Sequence, residues 1–256
     1  LHTWLPDAHS EAPSMVSALL SGALLNCAFL GILRVLQILN GAGIAAYGQE
    51  ILLGFGLLSM AVAAVFLLAQ TEYKRVLAYS SVEHMGVTAF GVGIGGSASF
   101  GALLHAVNHS IVKALLFFAA GNVLAAFASK EIAAVRGLGR SLPWTHVLWL
   151  CGLFAVIGSP PFGLFVSELT IVQGAIASGQ LWAAVAFLAL LVLAFVGIAT
   201  AGLRMAQGEA TLPRQRESWL RVGPPALLAA LSLLLGLWLP QPLQQFLQQA
   251  AGLFAE

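Results

Sequence analysis

The sequence predicts an all-α polytopic membrane protein with about seven transmembrane helices, one of them discontinuous. Three observations lead there. Only 8% of the residues are charged against 59% hydrophobic, with a mean hydropathy of +0.92, whereas soluble domains carry about 25% charged residues. Apolar stretches long enough to cross a hydrocarbon core of roughly 30 Å recur between short polar breaks. With seven crossings counted, the basic residues gather on every second break and so on one face, as the positive-inside rule expects. A net charge of +1 argues against an electrostatic nucleic-acid binder.

Residues 1–13 read as a polar loop. His2, Asp7, His9 and Glu11 invite a metal-site reading there, but the Pro-bounded stretch lacks tight ligand spacing, and no metal is expected. The spans are expected near 14–39, 49–70, 73–96, 100–127, 144–178, 181–203 and 219–239, followed by a C-terminal tail at 240–256. Loops at 71–83, 128–143 and 204–218 collect Lys74, Arg75, Lys130, Arg136, Arg140, Arg204, Arg214 and Arg216, while loops at 40–48, 97–99 and 179–180 contain no Lys or Arg. Leu1 is therefore expected on the cytoplasmic side and Glu256 outside, with Arg34 snorkelling near the outer end of the first span. Cys27 and Cys151 read as small buried hydrophobes rather than a disulfide or metal pair. Because the chain begins on Leu1 rather than Met, it reads as a piece of a longer protein.

The fifth span is too long to be one straight helix, and Gly158-Ser-Pro-Pro-Phe-Gly163 interrupts it. Pro160 and Pro161 break the helix and free backbone carbonyls, which a membrane tolerates only where protein or water satisfies them. Broken helices of this kind are typical of transporter ion sites.

Lys113 lies in the middle of the fourth span, too deep to snorkel, and His105 and His109 precede it at steps of four on the same helical stripe. Ionisable groups at that depth mark ion or proton paths; the alternative is a structural ion pair that fixes helix packing. Glu168, five residues after the break, is a candidate proton carrier or ion ligand, or else a cap on the second half-helix. Lys74 is either a snorkelling anchor or the inner mouth of a path. Glu83 and His84 are either proton-uptake groups or merely interfacial. There is no phosphate loop, dinucleotide fingerprint, iron–sulfur Cys cluster or nucleophile motif, so no redox centre or cofactor is expected in this chain.

Four ordered stretches carry a resemblance: His2-Thr-Trp-Leu-Pro-Asp-Ala8 through Pro13-Ser-Met-Val-Ser-Ala-Leu19, Lys74-Arg-Val-Leu-Ala-Tyr-Ser80, His105-Ala-Val-Asn-His-Ser-Ile-Val-Lys-Ala-Leu-Leu-Phe117 and Gly158-Ser-Pro-Pro-Phe-Gly-Leu-Phe-Val-Ser-Glu168. The chain resembles the antiporter-like membrane subunits shared by respiratory complex I, Mrp-type cation/proton antiporters and membrane-bound hydrogenases, and its N-terminal wording is most similar to the hydrogenase-4/formate-hydrogenlyase branch.

The resemblance implies the C-terminal part of an inverted-repeat fold: the last helix of the first repeat at 14–39, a second five-helix repeat at 40–203, and a basic loop with a trailing helix at 204–239. It places Lys113 on a central polar axis linked by His105 and His109, Glu168 at the terminal carrier position and Lys74 at the cytoplasmic input. Many relatives have histidine where Ser21 stands. The implied function is proton translocation in a redox-driven complex of the bacterial inner membrane. Its partners would be other antiporter-like subunits and peripheral redox subunits carrying iron–sulfur clusters and nickel–iron or flavin. The alternatives are a cation/proton antiporter without a redox partner, and a scaffold subunit that has lost transport.

Overall fold

The structure, a computed structural model, describes residues 3–253. Leu1, His2 and Glu256, which figured in the orientation and metal readings, lie outside the described residues. The described chain is helical apart from an isolated antiparallel bridge between Glu72 and Glu131. Five of its helical stretches are long and apolar enough to cross a membrane: Ser14–Gly41, Ala45–Leu67, Gly96–Phe127, Leu181–Ala206 and Trp219–Leu237. The third and fifth expected crossings are outside this count for different physical reasons.

The stretch read as a polar loop contains a short helix, α1 (Trp4–Glu11), which turns Leu5, Pro6, His9 and Ser10 inward. The first span is continuous in direction but not in winding. It runs through α2 (Ser14–Leu19), a π-helical turn at Leu20–Leu24 and α3 (Leu25–Gly41). Such π turns aim a side chain out of register and are often found at functional sites; here the residue buried on the turn is Ser21. Cys27 is exposed and Cys151 half-buried, and both are free thiols. The burial expected for Cys27 is corrected: it lies on the outer face of α3, where lipid accepts a small apolar group as readily as a core does.

After α4 (Ala45–Leu67) comes α5 (Tyr73–Ile94), in which 18 of 22 residues are buried. Burial within protein explains why α5 carries Lys74, Glu83 and His84 and falls short of the hydropathy of a lipid-facing span. Glycines let α4 and α5 touch along their backbones: a Cβ at Gly56 would sit 2.6 Å from the Phe90 nitrogen, and one at Gly86 would sit 2.8 Å from the Gly56 oxygen. Small residues serve this purpose in membrane bundles, where close approach replaces the hydrophobic effect. Gly95, with φ +82°, turns the chain straight into α6 (Gly96–Phe127).

A short α7 (Leu138–Ser141) leads into the stretch read as a broken span. Its halves are α8 (Pro143–Val156) and α9 (Gly163–Ala177), each too short to cross alone. Helix α10 (Leu181–Ala206) follows, then α11 (Trp219–Leu237) and α12 (Gln241–Gly252). The last of these is a helix where the sequence reading had only a tail. Helix α11 lies against the break, for a Cβ at Gly236 would meet Phe162 C at 2.5 Å and Gly163 N at 2.8 Å. Arg34 is exposed near the end of α3 and donates to Gln37 at 2.9 Å. Helices α5, α6 and α9 thus meet in the interior, and the polar residues are found where they meet.

Candidate functional site: a buried polar axis

Lys113, completely buried, projects from α6 onto α5. Its Nζ donates to the Leu77 carbonyl at 2.9 Å and to Ser80 Oγ. The i−4 carbonyls of a helix are normally occupied, so the second acceptor that Ser80 supplies gives the ammonium a firm place without a direct carboxylate pair. Glu83, one turn along α5, is also buried and electrostatically coupled to Lys113.

From Glu83 the polar groups continue across the helices. Glu83 Oε2 lies 3.5 Å from His84 Nε2. His84 Nδ1 is 2.9 Å from His105 Nε2, and His105 Nδ1 is 3.0 Å from Ser167 Oγ on α9. His109 stacks obliquely over His84 with ring centroids 5.2 Å apart. Glu168, 8% exposed, packs against Gly158 of the break. Its carboxylate and the facing nitrogens of His84 and His105 all lie within 4.8 Å of one another. Asn108 ties the restart of the broken helix to α6 by donating to the Gly163 carbonyl at 3.2 Å.

The stripe of His105, His109 and Lys113 is thus brought together as one buried face, joined by Glu168. Glu83 and His84, read as either proton-uptake groups or interfacial residues, are buried within the bundle beside this face. Glu83 is ten residues beyond Tyr73, about 15 Å of helix, and both side chains are no more than 2% exposed. Lys74 is buried too, and Nζ donates to the carbonyls of Ser10 at 3.1 Å and Ala12 at 2.6 Å. It therefore caps the C-terminal end of α1, where unsatisfied carbonyls favour a cation.

Sequence reasoning missed His9. It is buried on α1, stacked on Phe117 at 4.9 Å, with both ring nitrogens lacking a protein partner. It lies close enough to Lys113 and to Lys74 to feel both charges. The signal was present in the sequence: a histidine five residues before the first span, in a motif otherwise discarded as a metal site. The other members of that motif diverge. Asp7 pairs with Arg75 at 2.9 Å and Glu11 with Lys130 at 2.9 Å, the latter holding the Glu11 carboxyl below its ordinary range. Also missed were the hydroxyls. Ser21, on the π turn, is hydrogen-bonded to Ser81 at 2.7 Å, and both are fully buried.

The family described as "NADH:quinone oxidoreductase/Mrp antiporter, TM" matches residues 1–194. The hydrogenase-4 component F homolog of Methylacidiphilum infernorum (isolate V4) is 42% identical over 185 residues, covering 72% of this chain and 39% of the relative. The NAD(P)H-quinone oxidoreductase chain 4 2 of Thermosynechococcus vestitus is 38% identical, covering 68% of this chain and 33% of the relative. The chain thus spans 39% or less of the length of these relatives. Respiratory complex I from Thermus thermophilus contains a chain that superposes with a TM-score of 0.86 at 25% identity, covering 100% of this chain and 55% of that one. With 194 of its 256 residues matched, and with membrane-length helices arranged as in complex I, this chain belongs to the NADH:quinone oxidoreductase/Mrp antiporter membrane family.

Proposed function

We propose that the chain moves protons within a redox-driven membrane complex of the hydrogenase-4 or NADH:quinone oxidoreductase type, along Lys74, His9, Lys113, His109, His84, His105 and Glu168. The observation that supports this most is the unbroken run of buried contacts from Glu83 through His84, His105 and Ser167, beside Glu168 on the broken helix. Imidazoles linked to each other and to a hydroxyl pass a proton by exchanging donor and acceptor roles, with no side chain travelling far. Lys113 works as a switchable charge: Glu83 favours its ammonium and burial opposes it, so a small shift of the carboxylate changes its proton affinity. The unpartnered nitrogens of His9 and His109 and the free oxygen of Glu83 each cost roughly 1–3 kcal/mol unless water satisfies them, and water is what joins such groups into a path.

In this reading α5 and the α8–α9 pair are the third and fifth of seven crossings, the basic loops face the cytoplasm, and the first expected helix closes a preceding repeat. The oxidation chemistry resides in peripheral partners bearing iron–sulfur clusters with nickel–iron or flavin, and further antiporter-like subunits flank the chain in the membrane. Gentle solubilisation of native membranes and capture of the full-length protein tests the assignment. Co-purification of peripheral redox subunits is expected. Recovery with small antiporter subunits alone, together with sodium-dependent proton exchange, would overturn it in favour of the Mrp-type reading, whose support is the antiporter half of the family description.

A further inference from the structure

We infer that His84, His105 and Glu168 form a binding site for zinc. The sequence reading weighed metal ligands only among His2, Asp7, His9 and Glu11 and expected no metal there for want of tight ligand spacing; His84, His105 and Glu168 are far apart in the chain. In space one ring nitrogen from each of His84 and His105 and a Glu168 oxygen lie within 4.8 Å of one another. Ligands in a zinc tetrahedron, with bonds of about 2.0–2.2 Å, stand roughly 3.3 to 3.6 Å apart. The imidazole pair, at 2.9 Å, opens by a few tenths of an ångström, and the carboxylate closes by little more than one. Two imidazoles and one carboxylate make a set that selects zinc over magnesium, calcium or sodium, which favour all-oxygen shells.

A second observation points the same way. A metal-bound histidine normally offers its other ring nitrogen to a hydroxyl, carbonyl or carboxylate that fixes its orientation. His105 already has such a partner, its Nδ1 lying 3.0 Å from Ser167 Oγ, and Glu83 Oε2 stands 3.5 Å from His84 Nε2, where a small movement would supply the second. Glu168 places one negative charge directly on the ion, and Glu83, shared with Lys113, stands beside His84. Zinc takes the place of the proton between His84 and His105, which shifts to the His84 ring nitrogen facing Glu83; binding needs neutral imidazoles and an ionised Glu168, so it weakens as pH falls. Access is from the break, where Pro160 and Pro161 are exposed and Gly158 lies against the Glu168 carboxylate.

Block of proton transfer by bound zinc is a consequence that rests on the proposed function; the binding itself does not. The test is therefore made on the resting full-length protein in its complex, stripped with chelator and dialysed against zinc. One zinc per chain is expected at this site, with nitrogen and oxygen neighbours at about 2.0–2.1 Å by X-ray absorption, and at least ten-fold weaker retention in Glu168→Gln and in His84→Gln. Cobalt in the unmodified protein, which needs no variant to fold, is expected to give the visible absorption of a tetrahedral site. Octahedral or absent cobalt spectra, sulfur neighbours around zinc, or retention unchanged in both variants would overturn the assignment.

Discussion

At the scale of single residues, the axis depends on small hydroxyls as much as on its titratable groups. Ser167 holds the Nδ1 side of His105 and itself donates to the Leu164 carbonyl at 2.8 Å, so the two serine contacts set the tautomer available to the His84–His105 pair. Ser167→Ala removes both contacts, of which the hydrogen bond to His105 is worth about 1 kcal/mol, and is expected to slow proton transfer roughly five-fold while the complex still assembles; the initial rate of proton uptake into vesicles measures this. An unchanged rate would remove Ser167 from the path. Lys113, His105 and His109 were legible in the sequence because charge in an apolar run is conspicuous and a spacing of four fixes a common face. His84 was visible only as polar, since its partner is 21 residues away on another helix, and serines give no signal at all in an apolar sequence. Lys74 shows the opposite difficulty. Its burial on the carbonyls of Ser10 and Ala12 depends on α1 being a helix, which the polar composition of that segment concealed.

Among the elements, the broken span and its neighbour form the mechanical unit of the site. Gly158-Ser-Pro-Pro-Phe-Gly163 was recognisable as a break from composition alone, because two prolines and two glycines admit no continuous helix. What packs on it was not legible: α11 begins 56 residues after Gly163, beyond α9, α10 and a basic loop, and its contact is made through a glycine. Gly236→Val is expected to press the added methyls into Phe162 and Gly163, destabilising the protein by about 1–3 kcal/mol and displacing Glu168 enough to lower proton transport. Thermal unfolding of the purified protein gives the first quantity, and Gly31→Val, whose added Cβ meets nothing within 4 Å, serves as the control that is expected to be silent. Equal effects of both substitutions would show that the contact has no special role. The π turn at Leu20–Leu24 was equally hidden, since its residues are as apolar as those of the helix around it; only Ser21, turned inward onto Ser81, reveals why the register shifts there.

For the whole molecule, the sequence reading of alternating basic and neutral loops rests on α5 crossing the membrane although its charges lower its hydropathy. Protein surrounds it on nearly all sides, so those charges never meet lipid. Single cysteines in a background free of Cys27 and Cys151 check the arrangement: Ser178→Cys and Arg214→Cys, at opposite ends of α10, are expected to react from opposite sides of the membrane, with Arg214→Cys facing the cytoplasm. Labelling of both from one side would remove a crossing and undo the charge segregation. The central claim is that a buried lysine-to-carboxylate axis moves protons through this chain. Proton uptake by proteoliposomes carrying the full complex with Lys113→Ala tests it most directly, with electron-transfer turnover recorded in parallel. The account predicts an assembled complex whose proton uptake per electron falls sharply; normal uptake at normal turnover would contradict it.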